Sequence, residues 1–253
     1  MTEAERSWTA RSVALSTLLG SDPPRLPVSA LVALGELFGI APGAMRTALS
    51  RMVAAGELEA ADGRYSLVGR LLRRRAAQET GRHPPGTGWD GSWHWIVVQG
   101  EGRTVARRRE FRVAMADSRF GELRPEVWLR PSNLPLPPDP GADVLVSTGH
   151  LHDVVERELA ERLWDLGGWA GAAQNLVRRL DDAVPRLEAD GDEQIPANFA
   201  LSAAVLRHLR RDPLLPAELQ ARSWPGDELR TSYARFDDAF RAALRAFLRR
   251  HRG

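Results

Sequence analysis

A chain of 253 residues is long for one domain and comfortable for two or three, and a 43% hydrophobic content lets each bury a core. The absence of cysteine excludes a disulfide framework, thiolate metal sites and thiol catalysis together. All 35 basic residues are arginine against 33 acidic ones, a formal net charge of +2, so the high pI of 9.8 reflects missing lysine rather than a large positive charge.

In chain order, apolar residues at three- and four-residue steps (Trp8, Val13, Leu15, Leu18, Leu19) predict a first helix over Ser7–Leu19. Gly20 and the pair Pro23-Pro24 stop it. Ser29 is placed to cap a second helix carrying Leu31, Val32, Leu34, Leu37 and Phe38, which Gly39 ends. After Ile40-Ala41, Pro42 suits a first helical position, where its missing N–H costs nothing. The third helix is read over Met45–Gly56. Its stripe of Met45, Ala48, Leu49, Met52 and Val53 leaves Arg46, Thr47, Ser50 and Arg51 outside. Two strands follow, Glu57–Ala60 and Arg64–Val68, joined through Asp62-Gly63, a strong hairpin signal. Helix, helix, tight turn, helix and hairpin is the order of a winged helix-turn-helix.

The basic run Arg70–Arg82 leads into a Pro- and Gly-rich linker, His83–Gly88. Beyond it the pattern gives a strand at Ser92–Gln99, a helix at Thr104–Arg119, and strands at Glu126–Arg130 and Asp143–Ser147. The loop Pro131–Gly141 separates the last two. This is a small α+β unit of ferredoxin-like character. A helix at Asp153–Leu166 and three more at Trp169–Leu187, Asn198–Arg211 and Glu228–Arg250 complete the chain, with an irregular loop at Pro213–Gly226. The fold class is therefore α+β and multidomain. Residues 1–82 form a winged helix-turn-helix domain, 89–150 a ferredoxin-like middle domain and 151–253 a helical C-terminal domain.

Charge supports a nucleic-acid role by position rather than total. Residues 1–82 hold eleven arginines against eight acids, and the excess begins at Arg46. A recognition helix needs an apolar back and a polar front, and arginine matches guanine O6/N7 bidentately in the major groove. Arg46, Thr47, Ser50 and Arg51 fit that front, Arg64 and Tyr65 sit on the wing, and Arg73, Arg74 and Arg75 are candidates for phosphate contacts. On a lone helix such arginines are usually a solvated face; inside a complete helix-turn-helix and hairpin they read as DNA contacts.

Four separated segments resemble the PaaX-type phenylacetate-pathway repressors: ARSVALSTLLG (Ala10–Gly20), MRTALSRMVAAGELE (Met45–Glu59), WDGSWHWIVV (Trp89–Val98) and RDPLLPAELQARSWPG (Arg211–Gly226). WLRP at Trp128–Pro131 and WDLGGWAGA at Trp164–Ala172 fit as well. The resemblance implies a winged-helix N-terminal domain, a ferredoxin-like middle and a helical C-terminal domain. It also implies a homodimeric repressor on a palindromic operator, released by a small effector such as an acyl-CoA thioester or an aromatic acid.

Trp93, Trp95, Trp128 and Trp164, with Arg130 to meet a carboxylate or phosphate, make an aromatic effector pocket the alternative to ordinary core packing. His150, His152 and Asp153 lack a further partner for a metal, and read better as a polar loop with Asp153 opening a helix. Small CRISPR-associated nucleases need an acidic residue ending the first strand of such a middle domain; this strand ends Val98-Gln99-Gly100. With no nucleophile elbow or phosphate loop either, no enzyme and no cofactor are expected. A nucleic-acid enzyme and an effector-free DNA-binding scaffold are the remaining alternatives. Residues 1–12 lack the pattern of a signal peptide, and no apolar run reaches membrane length, so a soluble cytoplasmic protein is expected.

Overall fold

The computed structural model describes residues 8–86, 88–100, 102–137, 143–189 and 194–250. By compactness the chain divides into two units. One comprises Met1–Ala76, Leu176–Val205 and Leu229–Gly253, the other Ala77–Asn175 and Leu206–Glu228.

The first unit begins with α1 (Ala10–Gly20), whose start is fixed by a reciprocal cap. The Thr9 hydroxyl accepts from the Ser12 amide at 3.1 Å, and the Ser12 hydroxyl accepts from the Thr9 amide at 2.9 Å. A three-residue strand, β1 (Arg25–Pro27), leads into α2 (Val28–Glu36). The cap expected from Ser29 is not used. The N-cap is Pro27, whose ring has no acceptor to cap with, and the Val28 amide is satisfied by the Gly63 carbonyl at 3.1 Å. Gly39 reverses the chain with φ +69°, a conformation that costs glycine least. Then α3 (Pro42–Ala54) starts with its proline at the expected position. The hairpin β2 (Leu58–Ala61) and β3 (Arg64–Leu67) turns on Asp62 and Gly63, at φ 52° and 69°, the two positive values that an Asp-Gly turn predicts. β1 joins its other side, giving the antiparallel order β1-β3-β2. α1, α2, α3 and the foot of the hairpin share one core, including Val13, Leu18, Leu31, Met45, Leu49 and Leu67.

The basic run is helical: α4 spans Arg70–Arg82. In the second unit β4 (Ser92–Val98), α5 (Val105–Asp117), β5 (Gly121–Arg124), β6 (Val127–Pro131) and β7 (Val144–His150) build a sheet in the order β5-β6-β4-β7. Every pairing is antiparallel. Alternation along β4 and β6 sends side chains to two different cores. Trp93 and Leu129 face one side with Leu159 and Ala160 of α6 (Glu156–Leu163), and Ile96 and Trp128 face the other with Met115 of α5. The C-terminal region is helical, with α7 (Leu166–Ala189), α8 (Ile195–Leu209) and α9 (Gly226–Arg250). No helix among the described residues is long and apolar enough to cross a membrane.

Candidate nucleic-acid interface

The back of α3 is set by three side chains at helical spacing. Met45, Leu49 and Met52 are 0%, 0% and 2% exposed, and they hold the helix on the core shared with α1 and the hairpin. Val53, expected in the same stripe, lies at its margin and is 37% exposed. With that face fixed, Arg46, Thr47, Ser50 and Arg51 all reach solvent. Arg46 and Ser50 are one turn apart, as are Thr47 and Arg51.

The hydroxyls are oriented by the helix itself. Thr47 Oγ1 donates to the Gly43 carbonyl at 2.9 Å and Ser50 Oγ donates to the Arg46 carbonyl at 3.1 Å. Each spends its proton inward and retains acceptor capacity. The guanidiniums of Arg46 and Arg51 make no hydrogen bond or ion pair among the described residues and supply donors. The front thus offers both halves of a base-edge code.

The hairpin divides its two expected contacts. Arg64 is exposed. Tyr65 is half-buried and packs against the core, on the same side of β3 as buried Leu67, because alternate residues of a strand share a face. The tyrosine thus packs on the core while keeping part of its surface exposed. A neighbour that the sequence did not signal is Arg25 on β1. Its Nη2 donates to the Ala61 carbonyl and the Asp62 carboxylate, both at 3.4 Å, which places a cation at the hairpin turn.

The arginines of α4 separate in the same way. Arg73 is exposed, whereas Arg74 and Arg75 are half-buried. Arg75 pairs with Asp22 at 3.1 Å, and Arg74 is also engaged by the protein. Of the three expected phosphate ligands, Arg73 is the one left presented to solvent.

At the junction of α3 and the hairpin lies Glu57, a buried carboxylate that sequence reasoning passed over. Its Oε2 accepts from Arg11 Nε at 3.1 Å and its Oε1 from Arg11 Nη2 at 2.6 Å, and Arg70 Nη2 also donates to Oε1. These bonds, the Arg11 bond foremost, hold the carboxyl below its ordinary range despite burial. Glu57 therefore ties the foot of the hairpin to α1 and to the start of α4. An acidic residue at a strand start looks unremarkable in sequence; its role comes from two arginines that lie 46 and 13 residues away.

The expected aromatic pocket is not one site. Trp93, Trp95 and Trp164 belong to one face of the four-stranded sheet, and Trp128 and Arg130 to the other, so the sheet stands between them. Trp93 is fully buried, with its Nε1 donating to Glu156 at 3.1 Å. Arg130 is 2% exposed and anchors the chain around it, donating to the carbonyls of Ser118, Leu134 and Pro135 at 2.9, 2.8 and 2.6 Å. Burial, with Arg119 nearby, lowers its pKa to about 10. Across the strand pair His94 shares the Leu134 carbonyl at 3.2 Å, and burial holds its pKa below the ordinary value. Trp95 and Trp164, both half-buried, are the expected effector contacts that keep surface for a ligand.

No cluster of three metal-ligating side chains occurs among the described residues. Asp153 does not open a helix: it adopts φ 56° in a turn, and α6 starts at Glu156, with Glu156 and Glu158 as the acids of its first turn.

The sequence matches the family of PaaX-like proteins over residues 9–71 and the PaaX-like protein C-terminal domain over residues 164–250. It is 28% identical over 231 residues to the transcriptional repressor PaaX of Escherichia coli (strain K12), spanning 80% of this chain and 70% of that protein. Among solved structures it resembles the uncharacterized protein Rv0674 from Mycobacterium tuberculosis, with a TM-score of 0.66 and 41% identity. That likeness covers 95% of this chain and 99% of the other. Agreement across both ends of the sequence and nearly its full length makes this chain a member of the PaaX-like protein family.

Proposed function

We propose that this protein is a homodimeric, DNA-binding transcriptional repressor, with α3 as the recognition helix of a winged helix-turn-helix. One observation carries the reading: Met45, Leu49 and Met52 fix the back of α3 while Arg46, Thr47, Ser50 and Arg51 stand exposed on its front. An α-helix fits the major groove, where such donors and acceptors distinguish all four base pairs. Arg64, Arg73 and Arg25 supply cations beside it for phosphate contacts. The transcriptional repressor named among its relatives supports the same reading.

The remaining segments take the other roles. The strand order β5-β6-β4-β7, wholly antiparallel, supports reading the middle domain as ferredoxin-like. It departs from that pattern in having no helix in the described part of the β6–β7 connection. We assign residues 89–150 to dimerisation and sensing and 151–253 to effector response and dimerisation. Within them Trp95 and Trp164 are the contacts available to an acyl-CoA thioester or aromatic acid.

Binding of the full chain to its own promoter region tests the proposal. Two-fold symmetry predicts a palindromic footprint with half-sites about one helical turn, or a multiple of it, apart. A footprint on a single asymmetric half-site contradicts the dimer, and no retention of promoter fragments at low salt contradicts the repressor. Thermal-shift screening with acyl-CoA thioesters and aromatic acids tests the effector, and metal-dependent cleavage of a labelled duplex would instead indicate a nuclease.

A further inference from the structure

Within the first unit, the part of α7 after Leu176 and the first turns of α8 form a cleft of about 220 Å³. Arg179, Asp182, Ala183 and Arg186 line it from α7, at the three- and four-residue steps that keep side chains on one helix face. Ala197, Asn198 and Leu201 line it from α8. The cleft lies wholly in one compact unit, whereas Trp95 and Trp164 belong to the other.

Two lining groups hold bonding capacity that the protein leaves unused. Asp182 precedes Arg186 by one turn, the order that favours a helical ion pair, yet the two do not pair. The Arg186 guanidinium makes no hydrogen bond or ion pair among the described residues, while Arg179 is engaged by the protein. Asn198 is 4% exposed and spends one amide N–H on the Gln194 carbonyl at 2.8 Å. Its second N–H and its Oδ1 make no bond among the described residues, which leaves a donor and an acceptor at the cleft wall.

The lining selects by charge, shape and size. A guanidinium fork matches a carboxylate bidentately, and an amide N–H adds a further donor. Ala183, Ala197 and Leu201 supply an apolar wall for a carbon skeleton, which inorganic phosphate lacks. The carboxylate of Asp182 opposes a second negative charge on the ligand. A volume below the roughly 300–1,000 Å³ of drug-sized sites admits a small acid and excludes a whole CoA thioester. The same helix also reaches the N-terminal segment. Phe199 follows Asn198 but lies about 100° further round α8, and it packs against Trp8 and Phe38 with ring centroids 5.3 and 5.2 Å away. One side of α8 thus lines the cleft while another holds the residues that precede α1 and follow α2.

We propose that the cleft between α7 and α8 binds a small monocarboxylic acid through Arg186 and Asn198, and that the bound acid lowers operator affinity through α8. The effect on the operator rests on the DNA-binding reading above; the acid site does not.

The test uses the full chain, with benzoate and butyrate as probes in isothermal titration calorimetry. Both should bind, and Arg186→Gln, at an exposed position, should weaken them roughly tenfold with the thermal midpoint of the free protein unchanged. Benzamide, the same ring without the charge, should bind roughly tenfold more weakly than benzoate. Inorganic phosphate should not displace benzoate, and Arg245→Gln, outside the cleft, should leave binding as in wild type. Saturating benzoate should lower wild-type operator affinity by roughly fivefold or more in fluorescence anisotropy, and leave that of Arg186→Gln unchanged. Absence of binding by both acids overturns the proposal, as do full affinity in Arg186→Gln, equal affinity for benzamide, or displacement by phosphate. Benzoate bound through Arg186 with operator affinity unaltered overturns its regulatory half. Protein that binds benzoate through Arg186 and binds no promoter DNA contradicts the DNA-binding reading and leaves the acid site standing.

Discussion

Replacing Glu57 by glutamine isolates the charge that ties the β2–β3 hairpin to the helices. Three N–H groups converge on its two carboxylate oxygens, two on Oε1 and one on Oε2. An amide oxygen at the Oε1 position keeps two bonds without charge assistance and points its NH2 at Arg11 Nε, where donor meets donor. The opposite orientation loses two bonds. A hydrogen bond to a charged group contributes about 1.5–3 kcal/mol, but the Arg11 and Arg70 side chains are 51% and 66% exposed, which lowers that value through solvent screening. The net expectation is about 2 kcal/mol, or a midpoint lower by roughly 4–8 °C at the usual conversion for a chain of this size. The effect has a pH signature. The folded pKa of Glu57 lies below its ordinary value, so its stabilisation is complete above the unfolded pKa and disappears as pH falls through the folded one. Differential scanning calorimetry at neutral pH should show the deficit, and titration into acid should bring wild type and variant together. A variant as stable as wild type at pH 7, or a gap that persists undiminished in acid, would refute the argument.

Further outcomes follow from burial and close approach. Leu49→Ala, at a fully buried position behind the exposed front of α3, should cost about 2–5 kcal/mol in urea unfolding and leave operator discrimination intact in the folded fraction. Gly81→Ala sets a Cβ 2.6 Å from the Leu209 carbonyl, a backbone atom that cannot move cheaply, and should destabilise by about 1–3 kcal/mol in the same assay. His94 and His208 are held neutral by burial, below their ordinary value of 6.5. The unfolded chain takes up their protons first, so stability should fall as pH drops below 6.5, and His94→Gln should flatten part of that fall; an unchanged profile in this variant removes His94 from the account.

The N-terminal segment was legible in sequence because its local signals agree. Helical spacing of Met45, Leu49 and Met52, Pro42 at a helix start and Asp62-Gly63 in a hairpin each need only neighbours along the chain. Two strands escaped notice. β1 is three residues ending in proline, and β5 (GELR) has no β-branched or aromatic residue and pairs irregularly between Glu122 and Arg124. Alternation along β4 and β6 puts Trp93 with Trp95, and Trp128 with Arg130, on one side of their own strands. What it could not supply was pairing register, and it is the opposition of Trp95 to Leu129 and Ile96 to Trp128 that divides the aromatic residues between two cores. Tertiary partners were also out of reach. Nothing local distinguishes Arg73 from Arg75, yet Asp22 claims the latter, and nothing local marks Glu57 as a buried anchor.

The central claim is that the exposed front of α3 reads bases, and one measurement addresses it directly. Operator affinity of wild type and Arg46→Ala is measured across a series in which each base pair of a half-site is changed in turn. If Arg46 contacts a base edge, wild type should discriminate by about 1–3 kcal/mol at one pair and the variant should lose discrimination at that pair alone. Arg46→Ala protein that keeps wild-type affinity and the wild-type pattern of preference would contradict the account.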